Sequence, residues 1–171
     1  MKKYDKKCLD LAIEEAEKSL KLGNYPVGAV LCFDNKIVAS SGNFGESRKN
    51  YINHAEALMM IENGERLLQA ARDNKTITLY STLEPCLMCL GIAVMNKVSR
   101  IVYIQKDPHA GACGLDRKSL GKRYQEVWIK IEHVAYSDKP KELIIKFLKK
   151  QIKTGVRVEW SKNFLRLIGE G

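Results

Sequence analysis

No stretch of this 171-residue chain approaches the roughly 18 consecutive apolar residues that crossing a bilayer requires, and its lysine-rich amino end has no apolar signal core. A cytoplasmic protein without a membrane partner is therefore expected. Internal repeats, low-complexity stretches and linkers are also lacking, while 45% apolar content at this length is enough to bury one real core. Cysteine is scarce and odd in number: of the five, only Cys86 and Cys89 are closely spaced. That pattern excludes a secreted disulfide framework and favours metal or redox use, with Cys8, Cys32 and Cys113 as ordinary thiols. Acidic residues are in deficit, 20 against 29 Lys and Arg, for a net charge of +9. From Lys139 to Gly171 there are nine Lys or Arg against three Glu, so most of the excess sits in the last 33 residues. Such a segment suits a polyanionic partner, or forms a solvated helix face.

Leu9, Ala12, Ile13, Ala16 and Leu20 mark an amphipathic helix over about residues 4 to 22, closed by Gly23-Asn24. Residues 26–33 and 36–40, joined by Asp34-Asn35, read as a β-hairpin. A polar loop over 41–53 precedes a helix that begins near His54 and is supported by Ala55, Leu58, Met59, Ile61 and Leu68. Thr76 to Ser81 is a predicted strand, and Pro85 suits the first position of a helix running to about Asn96. Strands are expected at Arg100 to Ile104 and Glu126 to Val134, separated by a glycine-bearing loop over 105–114. A long helix then starts near Pro140. After Gly155, Val156 to Trp160 could form a short strand, with a helical or loose tail beyond. Strands alternating with helices argue for a sheet covered by helices.

His54-Ala55-Glu56 and, thirty positions on, Pro85-Cys86-Leu87-Met88-Cys89 carry the chemistry. One imidazole and two thiolates make three zinc ligands, which leaves the fourth tetrahedral position for water, whereas a structural zinc is usually closed by four. Glu56 is spare and can move that water's proton. The pattern matches the signature of zinc-dependent base deaminases, which replace an exocyclic amine by a carbonyl and release ammonia. Two rivals exist: a thioredoxin-like Cys-x-x-Cys redox site, which has no use for His54 and Glu56, and a closed zinc site completed by Cys113, His109 or His133.

These motifs resemble the cytidine deaminase superfamily and, within it, the bacterial tRNA-specific adenosine deaminases. Tyr25-Pro26-Val27-Gly28-Ala29-Val30 is similar to the family's first-strand segment. His54-Ala55-Glu56-Ala57 and Leu79 to Cys89 are similar to its two metal motifs, and the wording Thr82-Leu83-Glu84-Pro85-Cys86 is typical of the tRNA branch. The resemblance covers about residues 5 to 115. It departs at Asn50 and Asn53, and two extra residues separate the metal motifs. It implies a three-layer α/β/α sandwich around a five-stranded mixed sheet, one Zn²⁺ on His54, Cys86 and Cys89, and Glu56 as the catalytic proton carrier. It further implies substrate contacts from Asn43, Pro26, Val27, Glu84, Pro85 and Asp107, and a homodimer or higher oligomer. Residues 1–154 would form the deaminase domain, and 155–171 an extension packed on it or trailing from it. The expected reaction is conversion of adenosine to inosine in a tRNA anticodon loop. The alternatives are deamination of a free base or nucleoside, such as guanine or cytosine, and a zinc-bearing RNA-binding or regulatory subunit without turnover.

Overall fold

Leu9, Ala12 and Ala16 form the buried stripe of α1 (Lys3–Lys21) in the computed structural model, which describes residues 3–170. Gly23, at φ +82°, turns the chain out of the helix in a conformation that costs a residue without Cβ nothing. The hairpin follows, β1 (Gly28–Phe33) against β2 (Lys36–Gly42), with both turn residues, Asp34 and Asn35, at positive φ as a tight two-residue connection demands. With β3 (Ile77–Leu83), β4 (Arg100–Gln105) and β5 (Lys130–His133) these strands make one mixed sheet of order β2-β1-β3-β4-β5. β1 runs antiparallel to β2 and β3, whereas β3, β4 and β5 are mutually parallel. Parallel neighbours need crossovers. α4 (Leu87–Met95) provides the first, and α5 (Lys122–Glu126), preceded by a 3-10 turn over Arg117–Ser119, lies in the second.

Both faces of the sheet are buried, as the alternation along β1 shows. Ala29 and Leu31 pack with Met59 and Met60 of α2 (Ala55–Glu62) and with Leu90 and Ala93 of α4. Val30 and Cys32 pack with Cys8, Leu9 and Ala12 of α1. α6 (Lys139–Lys153) lies against α1 and carries α7 (Val158–Leu167). The result is the expected three-layer sandwich. α1 sits so close to β1 that a Cβ on Gly28 would be 2.0 Å from the Ala12 carbonyl oxygen, so only glycine fits there. Beyond it, the Asp5 carboxylate accepts from Tyr80 Oη at 2.7 Å and from Arg100 at 2.8 Å, and Arg100 also reaches Glu132 at 2.6 Å, tying α1 to three strands.

Several local expectations are corrected. The helix predicted from His54 is two, α2 and α3 (Gly64–Arg72), because the Asn63 side chain donates to the Met59 carbonyl and is followed by glycine, a poor helix former. Ile61 and Leu68, which supported that helix as apolar positions, are more than half exposed. The strand predicted over Glu126 to Val134 shrinks to Lys130–His133, since β4 offers it partners only from Arg100 to Tyr103. Pro85 is not the first residue of a helix: α4 starts at Leu87, Cys86 is its N-cap, and the Pro85 carbonyl instead accepts from Ala112 N. The short strand considered for Val156 to Trp160 is replaced by α7, whose Trp160 and Phe164, with Ile168 at its C-cap, recur every fourth residue and pack on the core.

Candidate active site

Two helix amino ends converge beside the carboxyl end of β3. His54 is the N-cap of α2 and Cys86 the N-cap of α4, both in extended conformation and neither capped by its own side chain. The first-turn amides of Cys89 and Ala57 instead face the Cys86 and Cys89 sulfurs, and each helix end favours negative charge there. Cys89, three residues beyond Cys86, turns its sulfur to the same side. His54 Nδ1 lies 3.5 Å from Cys86 Sγ and 3.6 Å from Cys89 Sγ. A tetrahedral zinc with ordinary Zn–N and Zn–S bonds separates such donors by about 3.6 Å, so one nitrogen and two sulfurs fit that ion in both chemistry and spacing. Among the described residues His54, Cys86 and Cys89 alone form a group of mutually close donors. None of the three candidates for a fourth ligand joins that group. His109 accepts from Trp160, and His133 lies against the Tyr103 ring.

The electrostatics suit a cation. The hydrogen bond with Cys89 holds the Cys86 thiol down to about 4, with His54 adding to the effect, while the same bond and burial push Cys89 up. His54 is raised in turn, first by its bond to Cys86. Left to themselves the two sulfurs share one negative charge; a divalent cation among the donors displaces the second proton.

Glu56 stands in the first turn of α2, only 3% exposed. Its Oε1 accepts from Ser81 Oγ at 2.9 Å, and its Oε2 lies 3.7 Å from Cys89 Sγ. Burial raises its pKa above the ordinary carboxylate range. A carboxyl so placed can take up and return a proton beside the donor triangle, with Ser81 fixing its orientation.

A cavity of about 190 Å³ opens onto His54, Glu56 and Cys86. Of the residues implied as substrate contacts, Val27, Asn43, Glu84 and Asp107 line it. Pro26 and Pro85 are buried and absent from its wall. Asn43 Oδ1 accepts from Gly45 N at 2.8 Å, which directs the other end of the amide away from its own loop. Glu84 acts through its side chain: its carboxylate accepts from Asp107 N at 3.2 Å and Cys113 N at 3.0 Å. Asp107 Oδ1 in turn accepts from the amides of His109 and Ala110, shaping the loop into a turn. A Cβ on Gly111 would come within 2.5 Å of the Glu84 carboxyl carbon, so this loop lies directly on Glu84.

Sequence reasoning missed the wall opposite. Tyr25, Arg157, Trp160 and Phe164 also line the cavity. Tyr25 packs edge-on against Phe147, Trp160 and Phe164, with ring centroids 5.3 to 6.4 Å apart. The signal for α7 was the fourfold spacing of Trp160, Phe164 and Ile168.

Residues 2–105 match the family model described as the cytidine and deoxycytidylate deaminase zinc-binding region. A tRNA-specific adenosine deaminase of Bacillus subtilis (strain 168) is 39% identical over 107 residues, 60% of this chain. The matched part spans 63% of that relative's length, short of two thirds. A solved structure from work on A-to-I editing by tRNA:A34 deaminases is similar at TM-score 0.60 and 26% identity, over 75% of this chain and 98% of that one. A guanine deaminase of Bacillus subtilis is similar at TM-score 0.52 and 25% identity, over 83% of this chain and 91% of that one.

Proposed function

The chain belongs to the cytidine and deoxycytidylate deaminase zinc-binding family, and from that premise we propose that it is a hydrolytic deaminase converting adenosine to inosine in a tRNA anticodon loop. The observation that carries the reading is the buried Glu56 carboxyl beside the His54, Cys86 and Cys89 donors at the floor of a cavity. His54, Cys86 and Cys89 would hold a zinc ion, which would supply Lewis acidity for activating water near neutral pH. Glu56 takes one proton of the attacking water to the ring nitrogen and then carries the second, from the new hydroxyl, to the exocyclic amine, so that the C–N bond breaks, ammonia leaves and a carbonyl remains. Its raised pKa suits a group that must both accept and return a proton. Asn43 offers its amide to the base edge, and Val27 and Tyr25 flank the ring. A chain that only bound RNA would have no use for a buried carboxyl at this point.

The tRNA substrate is favoured by the similarity to tRNA-specific adenosine deaminases and by the net charge of +9. One observation favours an isolated base or nucleoside instead: the cavity is narrow and partly roofed by residues of the carboxyl-terminal segment. No helix among the described residues is long and apolar enough to cross a membrane. We place the protein in a reducing cytoplasm, where its five free cysteines would persist. We further infer a homodimer, because Ile61, Leu87 and Met95, on α2 and α4, are each more than half exposed.

The test is ammonia and inosine release from an adenosine-bearing anticodon stem-loop, beside free adenosine, guanine and cytosine. Glu56→Ala should retain about one zinc per chain and lose at least a hundredfold in turnover. Substantial residual turnover in that variant would sink the mechanism.

A further inference from the structure

We propose that Arg157 and Trp160 form a latch across the mouth of the catalytic cavity and set the size of substrate it accepts. Closed, the latch admits an isolated base or nucleoside; released, it admits a base carried by an RNA loop. The inference rests on the deaminase reading and concerns a segment beyond the family match, which ends at residue 105.

Two fastenings hold the segment down, one on each side of the opening. Trp160 Nε1–H donates to His109 Nε2 at 3.1 Å, joining α7 to the loop that Glu84 holds. On the other side Arg157 pairs with Glu46 at 2.7 Å and donates to Tyr51 Oη at 3.2 Å, with its guanidinium over the Tyr51 ring. All five side chains line the cavity, so both fastenings lie in its wall. They are exposed and polar, the class of contact that opens at small cost. A pivot lies immediately before them. Gly155, at φ +75° and with open space around it, and Arg157, at φ +46°, separate α6 from α7. Ser161, Phe164 and Leu165 are buried and keep α7 anchored from residue 161 onward. Motion is therefore confined to residues 155–160, where Trp160 is only partly buried. A cavity of about 190 Å³ holds one base ring system, whereas a flipped nucleotide brings its sugar, phosphates and neighbours to the mouth.

The test uses the zinc-loaded full chain and the double variant Arg157→Asn with Trp160→Phe. Asn tolerates the left-handed backbone, and Phe keeps the ring while removing the N–H donor. Activity is measured on an adenosine-bearing anticodon stem-loop and on free adenosine, beside stem-loop affinity by fluorescence anisotropy and hydrogen exchange of residues 155–161. Two such fastenings bias an opening equilibrium by about tenfold. The ratio of kcat/KM for stem-loop to that for adenosine should rise by about that factor, with faster exchange at 155–161. A ratio within twofold of the parent, or both activities falling together with a lowered Tm, would overturn the latch and leave α7 a purely structural wall. Should neither protein release ammonia from any substrate, the deaminase reading fails by itself. The latch is then supported by faster exchange with tighter stem-loop binding, and overturned if both are unchanged.

Discussion

Replacing Glu84 by Ala tests whether one carboxylate holds the loop over the cavity. The side chain accepts two backbone N–H groups, from Asp107 at 3.2 Å and Cys113 at 3.0 Å. A hydrogen bond to a charged group contributes about 1.5–3 kcal/mol. The longer bond belongs at the low end, and Glu84 is only half-buried, so about 2–3 kcal/mol for the pair is a fair expectation. What remains is the Ala112 N bond to the Pro85 carbonyl, the bridge between Cys86 and Gly111, and the Trp160 bond to His109. At 1.4 kcal/mol per tenfold, opening of the loop should become about 30- to 150-fold more frequent. Amide exchange at Gly111 and Cys113 should quicken by that factor, while exchange in β3 and β4 stays as it was. KM for the base should rise, because Asp107 and His109 lose their positions in the wall. Zinc content should hold, since no donor to the metal lies on this loop. Glu84→Gln keeps one acceptor oxygen but turns an NH₂ group toward the other amide, so it should recover little of the protection. Exchange within threefold of the parent in Glu84→Ala would show that the carboxylate does not restrain the loop.

Two further outcomes follow from the charge and apolar surfaces. Arg100, with Lys130, holds the Glu132 carboxyl down to about 2 from an ordinary 4.5. A depressed folded pKa means stabilisation that is complete above about pH 4.5 and lost as pH falls toward 2. The carboxylate is 27% exposed, and solvent screening reduces its contribution to about 1 kcal/mol. Urea unfolding should therefore separate the protein from Glu132→Gln by that amount at pH 6 and by almost nothing near pH 2; a gap constant with pH refutes the assignment. The proposed homodimer should sediment at the mass of two chains, and Ile61→Glu with Met95→Glu should halve it without loss of zinc. A single-chain mass in the parent would remove the dimer.

The metal motifs were legible in the sequence because their geometry is local. A His two residues before a Glu, and two Cys three apart after a Pro, need only a helix amino end each to aim their donors, and both helices were foreseen. Even the error at Pro85 was harmless: moving the helix start to Leu87 turns Cys86 into the N-cap and still leaves both sulfurs on one side. The five-stranded mixed sheet and its helical layers followed from the resemblance and from the alternation of strands with helices. The wall of the cavity was legible only in part, since its residues meet through packing between distant segments. Tyr25 reads as an ordinary residue before a strand until Phe147, Trp160 and Phe164, more than a hundred positions later, fold onto it. Glu84 was expected only as a substrate contact, and the partners of its carboxylate at Asp107 and Cys113 lie beyond any local window.

Val156 to Trp160 shows the same limit in its sharpest form. Val156, Val158 and Trp160 alternate as a strand does, while Trp160, Phe164 and Ile168 repeat as a helix does, and the two periods overlap at one residue. Local pattern cannot choose between them. The choice is made by burial, because a helix places Phe164 and Leu165 in the core beside Phe147. That tertiary decision also carries Trp160 and Arg157 to the mouth of the cavity. The residues that perform the proposed chemistry thus lie where local sequence can announce them, and those proposed to choose the substrate lie where only the fold brings them. Two chains sharing His54, Glu56, Cys86 and Cys89 but differing after residue 154 should catalyse one reaction on substrates of different size.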